Sequence, residues 1–194
     1  MIYMRNITSR TAKSECYLGN AGEYVRYGFW LLGDFDATDP DAEAGLFFSG
    51  YETADVSPAR GSAEYLGRTV GIFVSSDAAT RAIYGGNMGI NVDFDSGDVT
   101  GGLRDLEGQD QDDNVFGLND VDFVGSIDGA NTFSGAAAVL TGDDGPMDAD
   151  AAGNFNGQFF GFEAEEVGAN WSLRDGAGNV AFGVGGASRE IAAP

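Results

Sequence analysis

Residues 154–168 read NFNGQFFGFEAEEVG, a run in which large aromatic rings alternate with glycine before a short acidic turn. Ala169-Asn170-Trp171-Ser172-Leu173 follows as the return strand, and residues 179–189 form another glycine-spaced run around Phe182. Glycine inside a strand weakens a flat sheet. It is tolerated where the sheet coils tightly or where a ring from the neighbouring strand lies over the bare backbone. The same device recurs at Gly89, Gly125, Gly135, Gly157, Gly161 and Gly183. With 31 glycines spread along 194 residues, against a usual share of about 7%, the pattern demands repeated tight turns and close strand contacts. A closed, strongly coiled antiparallel sheet meets that demand.

Hydrophobic periodicity places the strands. Met88, Ile90, Val92 and Phe94 alternate with Asn87, Gly89, Asn91 and Asp93, the period of two that marks a half-buried strand. Asp95-Ser96-Gly97-Asp98 supplies a tight turn, and Val99-Thr100-Gly101-Gly102-Leu103 returns. Val121, Phe123 and Ile127 share one face of another strand, which Asp128-Gly129-Ala130-Asn131 turns into residues 132–140. Residues 63–67 and 70–74 make a further strand or strand pair. Between about Gly61 and about Ser188 this predicts roughly eight strands, and no helical periodicity competes. A barrel of about eight strands has an interior just wide enough for side chains, so Phe155, Phe159, Trp171 and Phe182 are expected as core filling. The stretches 104–119 and 141–152 read as its longest loops.

The first 60 residues differ. Residues 23–32 and 46–51 are strong strands, separated by the acidic stretch 34–41, and Ser57-Pro58-Ala59 marks a joint. The expected organisation is a strand-rich flank over residues 1–60, its start mobile, and a barrel over residues 61–194.

Composition removes whole classes of function. There are 31 acidic and 10 basic residues, a formal charge of -21, which repels nucleic acid and anionic membranes. Histidine is absent and Cys16 is the only cysteine. That leaves no Ser-His-Asp or Cys-His machinery, no His- or Cys-ligated zinc site and no internal disulfide. No apolar run is long enough for a membrane-spanning helix. Residues 1–8 lack the apolar core of a signal peptide, and Ala12-Lys13-Ser14-Glu15 lacks the small residues expected before a lipidated cysteine at Cys16, so no export signal is read in the chain.

Residues 153–168, with their aromatic pair, Gly161 and the Ala164-Glu165-Glu166-Val167-Gly168 turn, resemble the penultimate strand of the transferrin-binding protein B barrel domain. Ala181-Phe182-Gly183-Val184-Gly185-Gly186-Ala187 is similar to that family's last strand, Gly61-Ser62-Ala63-Glu64-Tyr65-Leu66-Gly67 to its first, and Tyr27-Gly28-Phe29-Trp30-Leu31 to a segment preceding the barrel. Ala169 stands where the family usually has a second glycine. The resemblance implies an all-β, eight-stranded antiparallel barrel with a reduced handle. It further implies a non-enzymatic binding protein, exposed on the outer membrane or secreted, that captures a protein or an iron- or haem-related ligand. No transferrin-binding residue carries over, because the family's contacts come from variable loops and a longer handle.

Recognition is then expected through loops mounted on a rigid frame, with Asp110, Asp112 and Asp113 in one loop and Asp143 and Asp144 in another as candidate ligand-binding residues. No cofactor or resident metal is expected. Calcium binding at residues 34–41, 110–113 or 143–150 does not follow the twelve-residue EF-hand, since the twelfth position from Asp34 is Gly45. Glu163 and Glu166 form the one carboxylate pair considered for glycosidase chemistry. Haem, without histidine, would need a tyrosine ligand such as Tyr65 or Tyr84. A structural or protective surface role without a specific ligand is the competing class.

Overall fold

The computed structural model describes residues 3–9, 12–33, 43–110, 112–140 and 145–190, and every regular element among them is an antiparallel strand. The first sheet is a four-stranded meander of β1 (Tyr3–Ser9), β2 (Ala12–Asn20), β3 (Val25–Leu32) and β4 (Glu43–Gly50). The residues expected to be a mobile start thus pair as the β1–β2 hairpin.

The second sheet contains β5 (Ser62–Val74), β6 (Arg81–Asp93), β7 (Asp98–Asp110), β8 (Val115–Gly117), β9 (Val121–Ile127), β10 (Thr132–Val139), β11 (Ala152–Phe160), β12 (Glu166–Arg174) and β13 (Val180–Arg189). Each long strand pairs with the next, and β13 returns to β5 from Val180↔Val74 to Arg189↔Tyr65, closing an eight-stranded barrel. The short β8 hangs on β7 alone.

Inside the barrel, one row of paired residues runs Gly125, Gly135, Phe155, Trp171, Gly183, Gly71, Tyr84 and Gly108. Rings and bare backbone share the row because an interior of this girth cannot hold a large side chain on every strand. A Cβ placed on Gly135 would stand 2.7 Å from Phe155, and one on Gly183 would stand 2.9 Å from Trp171. Phe155, Phe159 and Trp171 fill this core, as the girth of the barrel predicts, and Phe155 stacks on Phe123 with centroids 4.8 Å apart.

Phe182 corrects the expectation. The inward positions of β13 are Ala181, Gly183, Gly185 and Ala187, small because Trp171 and Met88 lie over them, so Phe182 points outward. There it joins a second core of Tyr27, Phe29, Leu31, Val70, Ile72 and Val184, where the first sheet packs against the outside of β5 and β13. Gly186 admits this contact: a Cβ there would meet the Tyr27 ring at 2.6 Å. Residues 62–74 form a single strand, buried on both faces over its second half.

The expected long loop at 104–119 is largely a hairpin of β7 and β8. The β6–β7 register shifts between Gly85 and Asn87, and Asp105 adopts a φ of 54°. Such a bulge lets a strand continue while breaking its apparent period.

Candidate functional site

The barrel end carrying the turns after β5, β7, β10 and β12 contains the acidic positions expected to bind a ligand. Asp110 organises its own turn: its carboxylate accepts the N–H groups of Asp112 (2.9 Å) and Asn114 (2.9 Å) and the Asn114 amide (3.0 Å). The Asn114 side-chain bond holds its pKa below the usual carboxylate value. Asp112 and Asp113 are exposed at the tip, Asp113 with a φ of 61°. Asp143, Asp144 and residues 34–41 lie outside the described residues. The adjoining residues 145–151 are braced to neighbouring turns by Met147 N–H donating to Asn119 (3.0 Å) and Asp148 N–H donating to Asp175 (3.2 Å). Among the described residues, no three carboxylate or cysteine side chains converge as metal ligands.

Asp175 ties this end together. Burial alone would raise its carboxyl, but hydrogen bonds from the Asn179 side chain (2.8 Å) and the N–H groups of Asp148 and Asn179 outweigh that and hold it low. A depressed folded-state pKa contributes stability that is fully present above the unfolded value of about 3.9 and is lost as pH falls through the folded value. Urea unfolding at pH 5 and below pH 3 is therefore expected to show a smaller acid-induced loss in Asp175→Asn than in the parent. Equal losses would remove Asp175 from the acid response.

The two phenols considered for haem sit inside the barrel. Tyr65 donates to the Ala164 carbonyl at 2.7 Å and Tyr84 to the Phe182 carbonyl at 3.2 Å, and burial raises both pKa values far above the ordinary phenol. Neither is arranged as an exposed, ionised ligand.

Glu166 is likewise not half of a catalytic pair. It is 4% exposed, and its carboxylate accepts the backbone N–H groups of Glu23 (2.6 Å), Tyr24 (3.1 Å) and Val25 (2.8 Å). Glu163 lies exposed in the preceding turn, its N–H donating to Glu165 at 2.8 Å. The signature glutamate of the turn is a latch from the barrel to the bend before β3. Ser188 adds a second tie, its hydroxyl donating to the Ala21 carbonyl at 2.6 Å.

That latch defines the opposite barrel end. Gly161, at a φ of 93°, ends β11 and throws Phe162 out of the sheet, where it is 70% exposed. Tyr51, 55% exposed, tilts against it with centroids 4.9 Å apart, and Tyr24 meets it edge-on at 6.1 Å. Backbone bonds from Gly161 N–H to Tyr51 O (2.8 Å) and from Tyr51 N–H to Tyr24 O (3.1 Å) fix the three segments to one another. A crevice of about 370 Å³ adjoins the rings, lined by Val56, Arg60, Phe94, Phe162 and Arg189 among others. Aromatic–glycine alternation makes residues 154–162 one barrel run and does not separate this cluster from it; the one local mark is the glycine between Phe160 and Phe162. Elsewhere, a groove of about 720 Å³ crosses β5, β6, β7 and β9 beneath Leu66 and Val124, with the Arg104–Asp122 ion pair at its side.

The comparisons agree with this architecture. The family model for the C-lobe and N-lobe β-barrels of transferrin-binding protein B matches residues 57–189. A transferrin-binding protein B mutant (Trp-176-Ala) from Haemophilus parasuis is 21% identical with a TM-score of 0.68, covering 98% of this chain and 38% of its own. Intact Ap-TbpB, with its N and C lobes, is 18% identical with a TM-score of 0.66 over 98% of this chain and 38% of its own. The isotype 1 protein from Neisseria meningitidis is 20% identical with a TM-score of 0.60 over 97% of this chain and 35% of its own. The chain thus spans under two-fifths of the length of these structures. A comparison with curated protein sequences returned no match. With the closed barrel, the docked sheet and a family match over most of its length, the chain belongs to the transferrin-binding protein B lobe β-barrel family.

Proposed function

We propose that this chain is a non-enzymatic capture module displayed on, or released from, a bacterial surface, and that it docks a protein partner on the aromatic end of its barrel. The observation that carries this reading is the cluster of exposed Tyr51 and Phe162 with half-buried Tyr24 on a hydrogen-bonded frame. Clustered exposed aromatics on a rigid mount are the typical anchors of protein interfaces. The buried, satisfied phenols of Tyr65 and Tyr84 favour a protein partner over haem. Within this reading residues 1–60 are the flank and residues 61–194 the binding barrel, a division supported by the family match at 57–189.

The test uses the immobilised chain with iron-loaded transferrin and haemin as separate probes. Transferrin retention is expected, weakened at least about tenfold by Tyr51→Ala with Phe162→Ala and within about twofold of the parent in Asp112→Asn with Asp113→Asn. Loss in the aspartate variant alone would move the site to the acidic hairpin. Retention of neither probe by the parent would favour the structural role.

A further inference from the structure

The aromatic end also carries charge. Glu23, Glu52 and Glu163 are exposed around the rings, and Glu165 stands with Tyr24 over Gly161. The Tyr24 phenol is raised above its usual value by desolvation and then by the carboxylates of Glu165, Glu23 and Glu166, so the field at that ring is negative. Two of the nearby arginines are bonded within the chain. Arg26 donates to the carbonyls of Gly22 and Val25, both at 3.0 Å. Arg60 donates to the carbonyls of Ser57 (2.8 Å) and Ala59 (2.6 Å) and faces Asp95. Arg60 and Arg189 line the crevice that Phe162 and Glu163 also line.

We infer that the segment docked here is basic, an arginine-bearing stretch of the partner whose guanidinium groups lie against the rings of Tyr24, Tyr51 and Phe162 while the glutamates compensate their charge. A planar guanidinium stacks on aromatic faces and keeps donors free for carboxylates at the ring edge, which a compact ammonium does less well. Opposite charge across the rim steers encounter and rejects acidic partners. The inference rests on the capture reading and adds the chemistry of the surface captured.

The experiment measures fluorescence anisotropy of a labelled octapeptide alternating arginine and glycine, with lysine and glutamate counterparts, at 0.15 M salt. The arginine peptide is expected to bind tightest and the glutamate peptide not at all. Phe162→Leu, which keeps apolar bulk but loses the ring, is expected to weaken the arginine peptide roughly two- to fivefold, the range of a cation–π contact at an exposed site. Asp112→Asn with Asp113→Asn, which removes more charge at the other barrel end, is expected to change it less than about twofold. Perturbation of the Tyr24 and Tyr51 ring resonances by the peptide gives a second readout. Equal weakening by the aspartate variant, or indifference to Phe162→Leu, would reduce the binding to diffuse attraction by an acidic chain and overturn the inference. Transferrin retained alongside such indifference would sink this inference alone. Arginine-peptide binding without transferrin retention would sink the transferrin probe and leave the basic docking surface standing.

Discussion

Glu166→Ala is expected to lower unfolding stability by about 3 kcal/mol, because three charge-assisted bonds vanish and the partly buried N–H groups they served regain water incompletely. Those N–H groups belong to Glu23, Tyr24 and Val25, at the entry to β3. Glu166→Gln is expected to recover only part of the loss, since its amide offers one acceptor oxygen and turns an N–H₂ toward backbone donors. Hydrogen exchange should locate the damage. Amides of residues 23–25 are expected to open, while amides deep in β10 and β11 keep their protection relative to the global stability. Because Tyr24 sits on this bend, partner capture is expected to weaken even in Glu166→Gln, although that residue touches no partner. Gly22→Ala attacks the same joint from the other side, as its Cβ would collide with the Glu166 carboxylate. Stability unchanged within about 0.5 kcal/mol in Glu166→Ala would show that the two sheets hold together without this latch.

Gly157→Ala is expected to cost about 2–3 kcal/mol, the usual penalty for overpacking a filled core. A Cβ there would overlap the Phe133 ring, which has no room to retreat: it lies 5.1 Å from Phe159 and 6.1 Å from Phe155, centroid to centroid, and is 1% exposed. The collision predicts its own rescue. Phe133→Leu alone is destabilising, yet in the Gly157→Ala background it is expected to restore part of the stability, with a coupling energy of at least about 1 kcal/mol. Additive urea-unfolding effects would mean that the glycine is needed for the coiling of β11 and not for the ring.

The same ring-over-glycine logic explains how much was legible in the residues themselves. Met88, Ile90 and Val92 mark β6 by simple alternation, whereas the interior place of Phe155, Phe159 and Trp171 follows from the girth of an eight-stranded barrel. Alternation reveals only the first part of β7, because the bulge at Asp105 breaks the period and glycines dilute its apolar face. A ring in a strand ordinarily marks the core face, and Phe182 departs from that rule. On β13 both faces are covered, and alternation alone does not say which cover is the barrel and which the second sheet.

The candidate site was less legible. Asp110 looked like an available ligand, but its oxygens are spent within its own turn, a local arrangement that many acidic turns share. Glu166 pairs with Glu163 along the chain but not in space as a catalytic couple, and nothing local joins Phe162 to Tyr51 and Tyr24.

What the sequence alone determined is the barrel: strand period, turn residues and glycines beside rings are local properties, and only a tightly closed sheet satisfies them together. What the tertiary structure decided is the use of its surface. The partners of Glu166 lie 141 to 143 residues away, and Phe162, Tyr51 and Tyr24 come from three separate segments joined by backbone bonds. Contacts at such separation exist only after the first sheet has docked on β5 and β13, so no local pattern in the chain encodes them.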